Sequence, residues 1–306
     1  MTAFQRAYRL TVGNIEIDAR AGVGLNSLRI AFSVERDVKR HPNNCEVSVY
    51  NLTRVHQAEL AKLSSVRVRL EAGYVGDIGV IFDGDLRSAR TRREGTDKVT
   101  RVSGGDGEAQ CRTARINKTF AAGTPIGTVI NVLGKALGVG PGNLKDFTNA
   151  TLANGSKRLT RSLTLSGSVF DEMEHVTRSC GLRWSVQDSA LQIREVGLPV
   201  GDKQGPLLRK DTGLIGDVEI ETVVAGAESV KGLVKAGKGL TAQGFTAGSQ
   251  KVSGVCLLRT DLIPGVPLRT ESEAFTGNLV CVATVHHGDS HSTDEWCVDW
   301  TGRPYK

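Results

Sequence analysis

The chain has 306 residues, a formal net charge of +6 and 39% hydrophobic residues, enough apolar material for the cores of about two to four domains. Only 5% of residues are aromatic while 36 are glycine, a balance that favours tight turns and close backbone contacts over large helices, and so a β-rich structure. The apolar runs are strand-sized, as at 279–285, and MTAFQRAYRL lacks the apolar stretch of a signal peptide, so the expectation is a soluble protein made in a cytoplasm, with no membrane insertion.

Six cysteines, Cys45, Cys111, Cys180, Cys256, Cys281 and Cys297, are far apart and form no C-x-x-C. They read as reduced packing residues, with Cys281 and Cys297 expected as a thiol pair on neighbouring strands rather than a bridge. A charge of +6 over this length reads as ordinary surface balance.

In chain order, Leu28, Ile30, Phe32 and Val34 alternate with Arg29, Ala31, Ser33 and Glu35, the pattern of a strand with one buried face and one face for water or a partner. The next stretch, 44–107, organises the chain. Cys45, Val47 and Val49, then Val66, Val68, Leu70 and Ala72, give two half-buried strands. Between them Thr53 is placed to cap a short helix with Val55, Leu60 and Leu63 on its apolar side. Gly73, Gly76, Gly79 and Gly84 are expected to turn the chain back twice, as in a small barrel. A basic segment follows, with Arg87, Arg90, Arg92, Arg93, Lys98 and Arg101 on two strands joined at REGTD. It has no interleaved aromatics to stack bases, so it reads as a solvated or acid-facing sheet surface.

From about 108 helices enter. Thr124 as cap, Pro125 at the first helical position and the stripe Ile126, Val129, Ile130, Leu133, Leu137 predict a helix stopped by Gly138. Ser168, the acids Asp171, Glu172 and Glu174, the stripe Phe170, Met173, Val176, Cys180, and Gly181 predict a second. A hairpin follows, Leu182, Trp184, Val186, a turn near Asp188 and Ser189, then Leu191 and Ile193. The connection 197–213 leads to a last β region in which 224–250, rich in Gly, Ala, Ser and Lys, reads as a flexible insertion. In that region 279–285 is apolar on both faces and hence central, and Trp296, Val298 and Trp300 alternate with Cys297 and Asp299 as its half-buried neighbour.

Chemistry-bearing patterns are few. GLVKAGKG, 232–239, has phosphate-loop spacing but Gly239 where Ser or Thr must meet magnesium, and GVGPG, 138–142, ends a helix instead of opening one. In HHGDSH, His287 and His291 invite a metal with Asp289 or Asp294, and Ser290 a triad. The i, i+4 spacing converges on one ion only on a helix, and this segment is a turn after a strand. No G-x-S-x-G is present. Asp171, Glu172 and Glu174 are accounted for by the helix dipole rather than as glycosidase carboxylates. The expectation is therefore no enzyme: no catalytic, cofactor-binding or metal-binding residues, and no cofactor.

The wording of 44–107 (a strand ending in YNL, a short helix, V-x-L-x-AGY, G-x-IF-x-G and GGDG) resembles tailed-phage baseplate hub proteins of the late control protein D type. The resemblance resumes in GTPIGTVI, SLTLSGSVFDEMEHV, LIPG and HHGDS and lapses near 224–250. It implies a mainly β fold with an α+β insertion: an N-terminal tube-forming barrel over 1–107, an α+β unit over 108–200 and a C-terminal barrel over 201–306. It also implies a structural ring of three copies in the virion baseplate, assembled in the host cytoplasm. The ring's partners are the tail tube or tube-terminating protein, the spike and other baseplate proteins, with the genome passing through. The rival readings are a tail-associated peptidoglycan hydrolase and the hub of a tailocin or secretion-system spike.

Overall fold

The computed structural model of the chain describes residues 4–63, 66–201, 204–222, 250–293 and 295–305. The first part forms β1 (Arg6–Val12), β2 (Ile15–Asp18), β3 (Ile30–Asp37), β4 (Asn44–Tyr50), α1 (Arg54–Leu60), β5 (Arg67–Tyr74), β6 (Asp77–Glu94) and β7 (Asp97–Gly105). The middle forms α2 (Glu108–Thr113), β8 (Arg115–Phe120), α3 (Ile126–Leu137), β9 (Leu163–Ser168), α4 (Val169–Ser179), β10 (Leu182–Gln187) and β11 (Ala190–Glu195). The last part forms β12 (Leu207–Leu208), β13 (Leu214–Thr222), β14 (Gln250–Leu257), β15 (Pro267–Glu271), β16 (Thr276–Asp289) and β17 (Trp296–Pro304). The protein is mainly β.

The strands of the first and last parts belong to one 13-stranded sheet, ordered β13-β14-β17-β16-β3-β4-β7-β6-β5-β1-β2, with β12 and β15 attached beside β16. The join is the antiparallel pair β3–β16, with Ser33 opposite His287 and Val34 opposite His286. One core lies under both parts, holding Tyr8, Phe82, Trp296 and Trp300. The alternation 30, 32, 34 buries Ile30, Phe32 and Val34 as read from the sequence. β3 is interior to the sheet, hydrogen-bonded on both sides.

Several local expectations need correction. Only one turn, at Val75 and Gly76, separates β5 from β6; Gly79 and Gly84 lie within β6. They are glycines because their faces are occupied: a Cβ on Gly79 would meet the Thr260 side chain, and one on Gly84 the Gly105 carbonyl and the Phe82 ring. In α1 Thr53 accepts from His56 N at 3.3 Å and Leu60 is buried, but Val55 is exposed. At about 100° per residue the two lie on different faces. Helix α3 begins one residue later than expected, with Pro125 as N-cap, and the Thr124 hydroxyl donates to Ala121 O instead. Ser168 stands at the N-cap of α4 without a side-chain cap bond. Gly138 ends α3 in the left-handed region, φ 80°.

The middle unit keeps a separate core of Val129, Leu133, Met173, Trp184 and Leu191. Its hairpin turns through Asp188 (φ 51°) and Ser189 (φ 59°), the two positive angles of a two-residue type I′ loop whose twist suits the flanking strands. Cys281 lies opposite Gly302 and Cys297 opposite His287, so these cysteines sit at different levels of β16 and β17, and none of the six cysteines is in a disulfide. The insertion at 224–249 lies outside the described residues. Among those described, no helix is long and apolar enough to cross a membrane.

Candidate functional site

The longest strand, β6, outruns its neighbour. β5 pairs with it only from Asp77 to Asp85, and from Leu86 to Glu94 it pairs with β7 alone. This stretch carries the basic residues. The period-2 pleat divides them between two surfaces. Ser88, Arg90, Arg92 and Glu94, with Arg101 and Val99 of β7 and Glu46 of β4, line a cleft of about 300 Å³. On the opposite face Ala89, Thr91, Lys98 and Thr100 meet α1 across a cleft of about 440 Å³. Arg93 belongs by alternation to that second face, so Arg90, Arg92 and Arg93 do not form one patch, as a reading by proximity in sequence implied.

Charge within the hairpin is partly compensated. Arg101 donates to Glu94 at 2.9 Å, and Arg87 to Glu108 at 2.8 Å and Asn44 at 2.9 Å. Among the described residues Arg90 and Arg92 take no ion pair. Their guanidinium groups remain available to a planar carboxylate or phosphate.

At the base of the hairpin GGDG makes the junction to the middle unit. Gly107 (φ 62°) starts α2, and Asp106 is buried. Its carboxylate accepts from Ser189 N at 2.6 Å and Asn43 Nδ2 at 3.2 Å. Asn43 Nδ2 also donates to Val186 O at 3.0 Å, Gln187 Nε2 donates to Asp37 O at 2.7 Å, and Arg36, itself buried, pairs with Asp188 at 2.6 Å. The β10–β11 turn is thus plugged into a polar socket of the large sheet. Burial pushes the Asp106 carboxyl up to about 6, with Asp188 adding to the rise and the Ser189 amide and Arg36 opposing it.

Among the described residues the enzyme-like candidates do not converge, and Asp294 lies outside those described. Asp171 approaches Arg40 at 3.6 Å, Glu172 accepts from Ser166 N at 3.2 Å, and Glu174 pairs with Arg178 at 3.8 Å, three separate structural roles. Ser290 Oγ accepts from Ile30 N at 3.0 Å and meets Nδ1 of the adjacent His291 at 2.9 Å; it is buried and fixes a strand end. Asp289 holds Arg29 at 2.6 Å. His286 is buried, and burial, with Arg36 adding to it, pushes its imidazole down to about 3. It is therefore neutral, with Nε2 3.2 Å from Arg259 O. His287 lies against Cys297, Nε2 to Sγ 2.9 Å. GVGPG binds the hairpin: Gly140 N donates to Ser189 O at 2.7 Å. The segment 232–239 lies outside the described residues.

No family model and no curated protein matches the sequence. Solved structures do match over nearly the whole chain. A 43 kDa tail protein of prophage MuSo2 from Shewanella oneidensis aligns over 97% of this chain and 98% of its own, with TM-score 0.60 and 9% identity. A tail protein from Neisseria meningitidis MC58 aligns over 98% and 97%, with TM-score 0.60 and 11% identity. The fold is that of phage tail proteins. It extends to an E. coli type VI secretion component, c3393, described as similar to the T4 bacteriophage tail proteins gp27 and gp5, over 97% of this chain and 77% of that one (TM-score 0.52, 10% identity).

Within this tail-protein fold, two clusters escaped the sequence reading. The Asp106 socket joins residues 36–43, 106 and 186–189, and no local pattern announces such a meeting. His287 and Cys297 are brought together by the register of β16 on β17. The available signal was the hairpin itself, since two strands joined by a short connection place 287 near 297.

Proposed function

We propose that the chain is a structural hub of a phage tail: three copies form a closed ring in the baseplate that joins a sixfold tail tube to a threefold spike and lets the genome pass. The observation that carries this reading is the β3–β16 pairing, which fuses the first and last β regions into one continuous wall. With residues 1–107 and 201–306 as two tube-like units per chain and 108–200 as an outer α+β unit, a ring of three presents six units to a sixfold tube. The two ends of the sheet, β2 and β13, pair on one side only among the described residues, and Ile215 and Ile220 of β13 are exposed. Such edges invite pairing with a neighbouring copy, and a head-to-tail contact whose rotation closes makes a ring.

The partners are then other copies of the chain, the tube or tube-terminating protein, the spike and further baseplate proteins. Arg90 and Arg92, which take no ion pair among the described residues, belong at a protein interface, because clustered cations in a lumen would hold the passing phosphates. The role is not enzymatic, and peptidoglycan zymography of the purified chain is expected to give no clearing. The likeness to a type VI component favours a second reading on the same fold, the hub of a secretion-system spike or tailocin. Deleting the gene from a particle-producing host tests the hub role. Loss of complete tails, restored by supplying the chain, is expected; intact tails would overturn it.

A further inference from the structure

We infer that the outer face of the last β region binds a zinc-class divalent cation between His287, Cys297 and Asp299. The three residues offer an imidazole nitrogen, a sulfur and a carboxylate oxygen whose atoms all lie within 4.8 Å of one another. Nε2 of His287 is 2.9 Å from Cys297 Sγ and 3.6 Å from Asp299 Oδ1. The inference is independent of the hub reading, and it departs from the expectation of no metal ligands.

The sheet explains the convergence. His287 on β16 stands directly opposite Cys297 on β17, and Asp299, two residues further along β17, projects to the same face. The core side of β17 is taken by Trp296, Val298 and Trp300, so the three donors share the surface away from the core. Both strands are interior, β16 held by β3 and β17, β17 by β14 and β16, which fixes the donors before any ion arrives. Side-chain exposures of 19% for His287 and 22% for Asp299 keep both within reach of solvent, giving an ion a way in.

The donor set selects the metal. Sulfur, imidazole and carboxylate together suit zinc, whereas magnesium and calcium prefer all-oxygen sites. Tetrahedral bond lengths of about 2.0–2.3 Å put a nitrogen and a sulfur ligand about 3.5 Å apart. A side-chain rotation that moves Cys297 Sγ by about 0.6 Å opens the present 2.9 Å distance to that value. On binding, the Cys297 thiol releases its proton to solvent, a sulfur–metal bond forms, and no redox change occurs.

The other reading is a hydrogen-bonded His287–Cys297 pair with Asp299 beside it. The two separate in a titration of the metal-stripped full chain with zinc chloride alone, followed by calorimetry, and with cobalt chloride, followed by thiolate-to-cobalt absorption. The expected result is one ion per chain, a cobalt–thiolate band, and a loss of affinity of at least about tenfold in Cys297→Ser and in Asp299→Asn, with Cys180→Ser as an unaffected control. Absence of saturable binding would overturn the proposal, as would zinc affinity unchanged in Asp299→Asn. That variant, being partly exposed, decides the matter if Cys297→Ser fails to fold.

Discussion

Asp106 sits where the large sheet receives the β10–β11 turn, and its raised pKa makes the junction pH-dependent. A carboxyl held at about 6 in the folded chain against about 3.9 unfolded contributes stability fully below the unfolded value and loses it as pH rises through 6. The groups facing it are Asp188, which raises the pKa, and Arg36, which lowers it. In urea unfolding at pH 4, 5 and 7, the stability of the natural chain relative to Asp106→Asn should therefore decline with pH, by up to about 1.4 kcal/mol per unit between 4 and 6. Parallel profiles would contradict the assignment. Nothing in GGDG announced this role. The motif carried only the family resemblance, and the partners of Asp106 lie at 43 and 186–189, beyond the reach of any local pattern.

At the scale of elements, the helices and the hairpin of the middle unit were readable because their stripes, stops and turn chemistry are set by neighbours in sequence. What glycine does inside an element was not. Gly127 is on the buried side of α3, where a Cβ would run into the Thr148 carbonyl oxygen. Helix propensity alone favours Gly127→Ala by about 1 kcal/mol, but overpacking against backbone costs about 1–3 kcal/mol, and the rigid partner puts this site at the upper end. Thermal unfolding should show Gly127→Ala destabilised by about 1–2 kcal/mol, while Gly24→Ala, which meets no atom within 4 Å, should change little. A stabilised Gly127→Ala would refute the packing argument. The same physics hid the course of β6: Gly79 and Gly84 look like turn residues, yet they serve close contacts within a strand.

For the whole molecule, the sequence carried the β-rich character and the tail-protein resemblance, while the union of both β regions in one sheet depends on β3 meeting a strand some 250 residues later, a pairing that alternation cannot encode. If the long hairpin is a docking face, Arg90→Glu with Arg92→Glu should leave thermal stability nearly unchanged, since both are exposed. The same double variant should slow association with the tail partner by about tenfold at low salt. Binding that instead follows added DNA would place nucleic acid at this surface. The central claim is a ring of three between tube and spike, and the direct measurement is electron cryomicroscopy of the complete tail with density assigned to this chain. The account predicts three copies around the axis, the two β regions of each forming the wall and the 108–200 units outside it. A single copy per tail, or a position away from the axis, would contradict it.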